Sequence, residues 1–313
     1  MARFDHLVTV ASVDRAWFEE CAGIVLDTAE STRARRGDIV LGDGGKPVPG
    51  IRLLKGRHLR PGARYEITSA GGGTGGAPAE GDDETAGTSW DGDRAAGDPT
   101  AGASAEDERT AGAPVEHAPT AGTPPGSRDE VITVAVREWR RSTAIAVEQR
   151  LRSAELTGRL MMRLRTPDRP SVLDVGFDLR APGGGSLQRA SGRAKLDLTA
   201  WWAAAAARPG SLPPARAPLA ARAKHRLGRA RLTVTPRPAA DGTWEVGVAL
   251  TVRGRSLLRP VAALALFFGQ VPLRRAFRSG VDQAAAGWNE ALASGPLPEP
   301  DELRAELVEA LTG

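Results

Sequence analysis

The sequence predicts an α+β fold in which an antiparallel sheet is followed by a long helix at its C-terminal end. Segments with alternating apolar and polar residues succeed one another up to residue 254, which is the period-2 pattern of strands. Short turn segments such as 166–170 and 238–242 separate them, and turns of this length join antiparallel neighbours. After the last strand, residues 273–292 carry an apolar stripe at helical spacing.

The strands are predicted from this alternation and from their β-branched residues. Residues 243–254 give the clearest case, because Trp244, Val246, Val248, Leu250 and Val252 all fall on one face. A strand of this kind buries one side in an antiparallel sheet. Strands are expected at 3–12, 62–69, 129–139, 142–151, 158–166, 171–181, 229–237 and 243–254.

The first predicted helix covers residues 12–23, with Ser12 as its N-cap and Gly23 as its end. Residues 182–228 combine alanines, which favour helix, with prolines, which break it. We therefore predict a partly helical excursion there.

The long helix ends before Pro296, and residues 296–313 are predicted to form a short C-terminal helix. Spacings of three and four residues place one set of side chains on a single face of the long helix: Phe277, Val281, Ala284, Trp288 and Leu292.

Residues 70–128 are a low-complexity segment of Gly, Ala, Pro, Thr and acidic residues. Such a segment cannot bury enough apolar surface to offset the entropy of ordering, so we predict a disordered insertion within a single domain, 1–295. Eleven acidic residues and three arginines give it a charge of −8, which leaves +12 on the rest of a chain whose total is +4. An acidic insertion could bind a protein partner, so a non-catalytic scaffold role is one functional hypothesis.

Residues 257–278 raise the question of a membrane contact. Fourteen residues lie between Arg259 and Arg274, and prolines, a glycine and a glutamine interrupt them, whereas a membrane span needs about 20 apolar residues. Two alternatives remain. The segment either is buried between the last strand and the long helix, or lies at a membrane surface beside Arg274, Arg275 and Arg278.

The sequence carries no standard catalytic or metal-binding motif. The four histidines are scattered, so we expect no metal site and no cofactor. The single cysteine, Cys21, falls at the C-terminal end of the first predicted helix, where it is expected to be a small buried residue. No basic run is interleaved with aromatic residues, so we expect no nucleic-acid partner. The N-terminus lacks the apolar core of a signal peptide, which favours a cytoplasmic location.

Two pairs of polar residues depend on which way a strand faces. Asp174 and Asp178 share one strand face and are expected on the solvent side rather than as a catalytic pair. Arg137 and Trp139 are expected to share a face, which either points inward and orients a ligand or points outward.

The adjacent aromatics Trp201 and Trp202 point in different directions in a helix or a strand. They either close a cavity mouth as a lid or pack residues 198–228 on the domain.

The order of the elements resembles the helix-grip fold of the START-like and polyketide-cyclase-like superfamily, the Bet v 1-like architecture. The N-terminal strand "RFDHLVTVAS" leads into the helix "VDRAWFEECA", and the last strand "TWEVGVALTVRG" leads into "LRRAFRSGVDQAAAGWNEAL". Residues 48–68 look like the second and third strands of that family, with Gly62 at the turn. The resemblance covers about 1–69 and 129–294. The chain departs from it in having nine strand candidates instead of seven, and in residues 182–228.

The resemblance implies a curved antiparallel sheet that grips the long C-terminal helix, with a cavity between them for a hydrophobic small molecule or lipid. It implies a polyketide cyclase or aromatase as the enzymatic variant. Arg137, Asp174 and His58 are the polar side chains whose direction would matter to a ligand. The expected cavity walls are Tyr65, Arg137, Trp139, Met162, Phe177, Trp244, Phe277 and Trp288.

Overall fold

A computed structural model gives the architecture of the chain. All elements named below belong to one compact unit that comprises residues 1–70 and 127–313. For residues 259–270 only the backbone is described. The structure describes residues 1–42, 45–68, 131–153, 156–181, 183, 188–208, 211–212, 214–239, 241–254, 259–293 and 298–312.

Thirteen strands within the described residues form one antiparallel sheet. From the second strand to the last, each pairs with the next one along the chain, and the first strand then pairs with the last. The strands are β1 (Ala2–Ala11), β2 (Thr32–Arg35), β3 (Asp38–Leu41), β4 (Lys46–Lys55), β5 (Arg64–Ile67), β6 (Val131–Arg140), β7 (Ala144–Arg152), β8 (Thr157–Arg165), β9 (Val172–Arg180), β10 (Arg189–Asp197), β11 (Leu219–His225), β12 (Gly228–Pro238) and β13 (Thr243–Gly254).

Four helices accompany the sheet in the described residues. Helix α1 (Arg15–Ser31) connects the two edge strands β1 and β2, and α2 (Leu198–Ala205) lies between β10 and β11. Helix α3 (Arg259–Ala293) follows β13, and α4 (Pro300–Thr312) ends the described chain. Among these helices none has the length and apolar character required to cross a bilayer.

The predicted α+β class is confirmed: a large antiparallel sheet, few helices and a C-terminal helix. The strands on either side of the predicted insertion, β5 and β6, pair directly with each other. The disorder predicted for 70–128 lies outside the described residues.

The predicted bounds of the first helix are wrong. Asp14, not Ser12, is the N-cap, and its carboxylate accepts hydrogen bonds from the N–H groups of Ala16 and Trp17 at 2.8 and 3.0 Å. The helix also continues through Gly23 to Ser31. One interior glycine costs about 1 kcal/mol, and burial of the following apolar residue Ile24 offsets that cost.

The segment 182–228 contains helix α2, as its predicted partly helical character requires, but it is not an excursion, because it also supplies β10 and β11 to the middle of the sheet. Its inward positions are mainly alanine and glycine, which are poor strand formers, so the period-2 pattern was concealed. Helix α3 likewise begins at Arg259 and continues through Pro272, well before the predicted start at 273.

The two faces of the sheet have different chemistry. We call the face on which α3 packs the inner face, since the rings of Phe4 on β1 and Phe277 on α3 lie 6.2 Å apart. Nine directly opposed residues on nine adjacent strands form an unbroken apolar row across it. This apolar row is Phe4, Leu250, Leu232, Ala221, Ala194, Val175, Met162, Val147 and Val136.

The outer face carries several ion pairs, and the most buried of them centres on Glu148. This carboxylate on β7 is fully buried beneath three arginines. It accepts hydrogen bonds from Arg137 Nε, Arg150 Nε and Arg159 Nη2, each at 2.8 Å. Burial alone would raise the pKa of Glu148, but the three guanidinium groups outweigh it and lower the pKa to about 2.

Glu148→Gln should lower the free energy of unfolding at pH 7 by about 2–4 kcal/mol, because a buried charge partner of three arginines is removed. The folded pKa lies below the unfolded one, so this stabilisation is complete above about pH 4.5 and is lost as the pH falls toward 2. Urea denaturation at pH 7 and pH 3 measures both effects. Glu138→Gln, which removes a partner of Arg163 alone, should change stability by less than about 1 kcal/mol. Equal effects of the two substitutions at pH 7 would contradict the assignment.

Candidate functional site

The inner face is covered unevenly along the apolar row. Its end members Phe4 and Val136 are buried, at 4% and 2% exposure. The seven residues between them are only half-buried. None of the described inward side chains of β8 to β11 is a fully buried hydrophobic residue. The middle of the face is therefore an apolar surface that the described side chains cover in part.

Small residues line part of this surface. Six of them lie on the inward side of three adjacent strands, β10 to β12, and we call them the small-residue floor: Ala190, Gly192, Ala194, Ala221, Ala223 and Ala230. The ring of Phe177 on β9 lies against Gly192, where an added Cβ would be 2.4 Å from the ring edge. The large ring of Phe177 therefore lies next to a group of very small side chains.

An aromatic cluster lies at one end of the inner face. Trp201 and Trp202 on α2 pack against Trp244 on β13, with ring centroids 6.0 and 5.7 Å apart. Phe18 on α1 adds a ring 5.6 Å from Trp202. Of the two alternatives for the tryptophan pair, the structure shows packing on the domain.

The indole nitrogen of Trp202 is unusual within this cluster. It is buried and has no hydrogen-bond acceptor among the described residues. A buried donor of this kind costs about 1–3 kcal/mol when it has no acceptor. Trp202 therefore presents a hydrogen-bond donor to an oxygen atom that entered the apolar region.

The second half of α3 is fixed to the edge strand β1 by polar contacts. Asn289 Oδ1 accepts from the N–H of Ala11 at 2.7 Å, and Trp288 Nε1 donates to the carbonyl of Ala11 at 2.9 Å. His6 Nε2 and Asp282 Oδ1 are 2.6 Å apart. The two contacts with Ala11 use backbone groups of the edge strand, whose outer N–H and C=O groups have no neighbouring strand to pair with.

A chain of hydrogen bonds occupies the other end of the inner face. The N–H of Leu59 donates to the Tyr65 oxygen at 2.8 Å, and the Tyr65 hydroxyl and His58 Nδ1 are 3.0 Å apart. His58 Nε2 is 2.8 Å from Thr32 Oγ1, whose hydroxyl donates to the carbonyl of Ala29. Because the Thr32 hydroxyl donates to Ala29, its oxygen accepts from His58 Nε2–H, and in the neutral imidazole Nδ1 then accepts from the Tyr65 hydroxyl.

The pKa values agree with a structural role for this chain. Burial lowers the pKa of His58, and the nearby carbonyl of Ala29 opposes the shift only in part. Burial also raises the pKa of Tyr65. A phenol with a raised pKa stays protonated at neutral pH, so Tyr65 can act as a hydrogen-bond donor in this chain.

A polar hollow of about 350 Å³ adjoins this chain, lined by Glu30, His58, Leu59, Arg60, Trp139 and Arg141. Two of its charged groups, Glu30 and Arg141, pair with each other at 3.5 Å and have further partners. Trp139 Nε1 donates to Glu30 at 2.9 Å, and Arg141 pairs with Asp27 and with Asp168. The hollow offers little unpaired chemistry to a ligand.

The eight predicted wall residues fall into groups. Trp244 and Phe277 share the core at the β1–β13 end, and Tyr65 and Trp139 share the core at the β3–β6 end. Met162 and Phe177 lie in the half-buried middle, and Trp288 lies at the margin with 44% exposure.

Arg137, the eighth, lies on the opposite side from Trp139. A β-bulge between Val136 and Glu138 inserts one residue, so the prediction of a shared face is wrong. The Arg137 guanidinium binds Glu148 on the outer face.

The solvent-side prediction for Asp174 and Asp178 is confirmed, because they pair with Arg165 and Arg189 on the outer face. The sequence reasoning missed the small-residue floor and the Trp202 donor. The alternation of alanine with arginine or lysine along β10 to β12 was the available signal for the floor.

Trp202→Phe should leave the free energy of unfolding unchanged or raise it by up to about 1 kcal/mol, because it removes a buried donor that has no acceptor. Trp17→Phe is the matched control. Its indole belongs to the same core but donates to the carbonyl of Pro298 at 3.2 Å, so stability should fall by about 1 kcal/mol. Urea denaturation compares the two, and a larger loss in Trp202→Phe would contradict the assignment.

Acidification from pH 7.5 to 5.5 should destabilise the protein through His58. Its pKa is lowered in the folded state, so its contribution to stability is complete above the unfolded value of about 6.5 and is lost as the pH falls through the folded value. His58→Gln should weaken this pH dependence of the urea midpoint. An identical dependence in both proteins would show that His58 does not titrate in this way.

Comparison with known proteins adds no assignment to this geometry. Neither a protein family model, nor a curated protein, nor a solved structure matches the chain. The resemblance to the START-like superfamily therefore stays a prediction, and function must be argued from the residues of the inner face.

Proposed function

We propose that the chain binds a hydrophobic small molecule or lipid on the inner face of the sheet, between β8–β11 and α3. The observation that carries the proposal is the apolar row, whose ends are buried and whose middle is half-buried. A contiguous apolar surface of this kind on a water-exposed protein indicates a binding site. A long alkyl chain laid along the row would complete its burial.

Curvature of the sheet around the ligand belongs to the same proposal. Twelve spacings of about 4.8 Å would separate the edges of a flat thirteen-stranded sheet by roughly 58 Å. The connection from Ala11 through α1 to Thr32 can reach no more than about 45 Å. A flat sheet is incompatible with that connection, which supports a curved sheet with α3 on its concave side.

The ligand is proposed to have an apolar body and one oxygen-containing end. The aromatic cluster supports this, because Trp202 Nε1 is a buried donor with no acceptor among the described residues. A carboxyl, hydroxyl or carbonyl oxygen would satisfy it. Each buried methylene contributes about 0.8 kcal/mol against an association cost of at least about 4 kcal/mol, so micromolar binding requires a long chain.

The cyclase variant requires an acid or base on the same surface. His225, directly opposite Ala190, is the titratable side chain that the register places on the inner side of β8–β12 in the described chain. One histidine supports a binding function better than a multistep cyclisation, so we propose binding as the main function.

A second candidate is peripheral membrane association through 257–278. Val271 is 75% exposed and borders a hollow of about 610 Å³, whose lining includes Arg274, Arg275 and Arg278. An exposed apolar residue next to three arginines suits an anionic membrane surface. The scaffold hypothesis concerns 70–128, which lies outside the described residues.

Ala221→Trp should block ligand binding by filling the small-residue floor. The measurement uses cis-parinaric acid, a fluorescent fatty acid, with energy transfer from tryptophan reporting its binding. We expect the affinity to fall at least tenfold. The matched control is Ala220→Trp, because Ala220 is the preceding residue on β11 and faces the outer side of the sheet.

Equal binding by the two variants would place the fatty acid elsewhere, and an absence of binding by the unmodified protein would overturn the proposal. Trp202→Phe adds a test of the oxygen-containing end. It should weaken binding of the fatty acid but not of a hydrocarbon of the same length.

A further inference from the structure

We propose that the outer face of β10–β13 binds the surface of an anionic phospholipid bilayer through six exposed cationic side chains. We call them the cationic ladder: Arg193, Arg222, Arg231, Lys224, Arg229 and Arg253. The proposal does not depend on the ligand proposed for the inner face.

The register of the sheet places these side chains in two parallel rows. Arg193 lies directly opposite Arg222, and Arg222 lies directly opposite Arg231. In the second row Lys224 is opposite Arg229, which is opposite Arg253. Neighbours within a row have Cβ atoms about 5 Å apart, and the rows are about 7 Å apart along the strands.

A short sequence pattern produces this arrangement. A four-residue pattern occurs three times, as "GRAK" at 192–195, "ARAK" at 221–224 and "GRAR" at 228–231. In each copy a small residue precedes an arginine, and an alanine then precedes a second cation. The period of two sends the small residues to the inner face and the cations to the outer face.

The ladder lacks the carboxylates that neutralise the neighbouring part of the same face. On β6–β9, Glu148 pairs with three arginines, and Glu138 and Asp174 pair with one each. None of the six ladder side chains forms an ion pair within the described part of the chain.

This lack has a cost to the fold. Like charges directly opposite each other on adjacent strands are destabilising, and the ladder contains four such pairs. The six cations repel one another, and no carboxylate of the described chain offsets that repulsion. Binding of an external anion would offset it. Arginine, which supplies five of the six cations, binds phosphate through its two-pronged guanidinium group.

The bilayer fits the ladder better than a nucleic acid does. A single strand would require aromatic side chains between the cations, and the two rows are completed by Ser191 and Thr251 instead. The two rows together extend over four strands, which is wide enough to contact many phospholipid headgroups. Each Lys or Arg near an anionic membrane strengthens binding roughly fivefold.

Co-sedimentation with vesicles tests the proposal on the full chain. Vesicles of phosphatidylcholine are compared with vesicles containing 40% phosphatidylglycerol, at about 0.05 and 0.3 M salt. The unmodified protein should bind the anionic vesicles, and high salt should weaken binding. Arg193→Gln, Arg222→Gln and Arg231→Gln combined should reduce affinity about 100-fold.

A control triple removes the same charge from the same face. Arg163→Gln, Arg165→Gln and Arg189→Gln replace arginines that are already paired with carboxylates, so affinity should fall less than tenfold. The ladder triple should melt no lower than the unmodified protein, because it relieves repulsion.

Three outcomes would overturn the proposal. Equal losses in both triples would show that only total charge matters. A loss on replacing Arg274, Arg275 and Arg278 with glutamine, without a loss in the ladder triple, would assign binding to α3, which packs on the other face of the sheet. Binding of a 20-base-pair DNA duplex in place of vesicles, measured by fluorescence anisotropy, would assign the ladder to nucleic acid.

Discussion

The pairing of β1 with β13 is the interaction on which the rest of the structure depends. It joins the N-terminal strand to the last strand over ten consecutive residue pairs, from Ala2 with Val252 to Ala11 with Thr243. More than 200 residues separate the two strands in sequence, so the pairing closes a very long loop. It also creates the surface on which α3 lies, because Phe4, His6 and Ala11 of β1 all contact that helix.

The consequences of this pairing extend beyond the edge of the sheet. It makes β1 an edge strand, so that α1 connects the two edges of one sheet. The length of α1 is the premise of the curvature that we propose for the binding surface. A one-residue change in the register of β1 would turn each inward side chain of that strand to the outer face. The position of α3 and the apolar row both depend on this register.

Much of this architecture could be predicted from the sequence, and the limits have physical causes. Strands such as β13 were predictable because large apolar residues alternate with small or polar ones. Strands β10 and β11 were not, because their inward positions are filled by alanine and glycine, residues that by themselves favour other structures. Helix α1 exceeded its predicted end because tertiary burial of Ile24 outweighs the weak stop signal of Gly23.

The site was harder to predict than the fold, because it depends on register. Tyr65, Trp244 and Phe277, which were predicted as cavity walls, lie on the inner face. Arg137 does not share a face with Trp139 because the bulge in β6 inserts one residue between them. The inserted residue breaks the alternation of side chains between the two faces. No pattern in the sequence specifies a bulge of this kind.

The three strands β10–β12 show how one alternating pattern can serve both faces of a sheet. Their alanines and glycine give the inner face a low floor, and their arginines and lysine give the outer face its charge. Larger inward residues would fill the space that the ligand is proposed to occupy, and acidic outward residues would neutralise the ladder. Both faces depart from what stability alone would favour, one by leaving apolar surface half-covered and the other by placing like charges side by side. The two departures occur on alternating residues of the same three strands, because the period of two sends neighbouring residues of a strand to opposite faces.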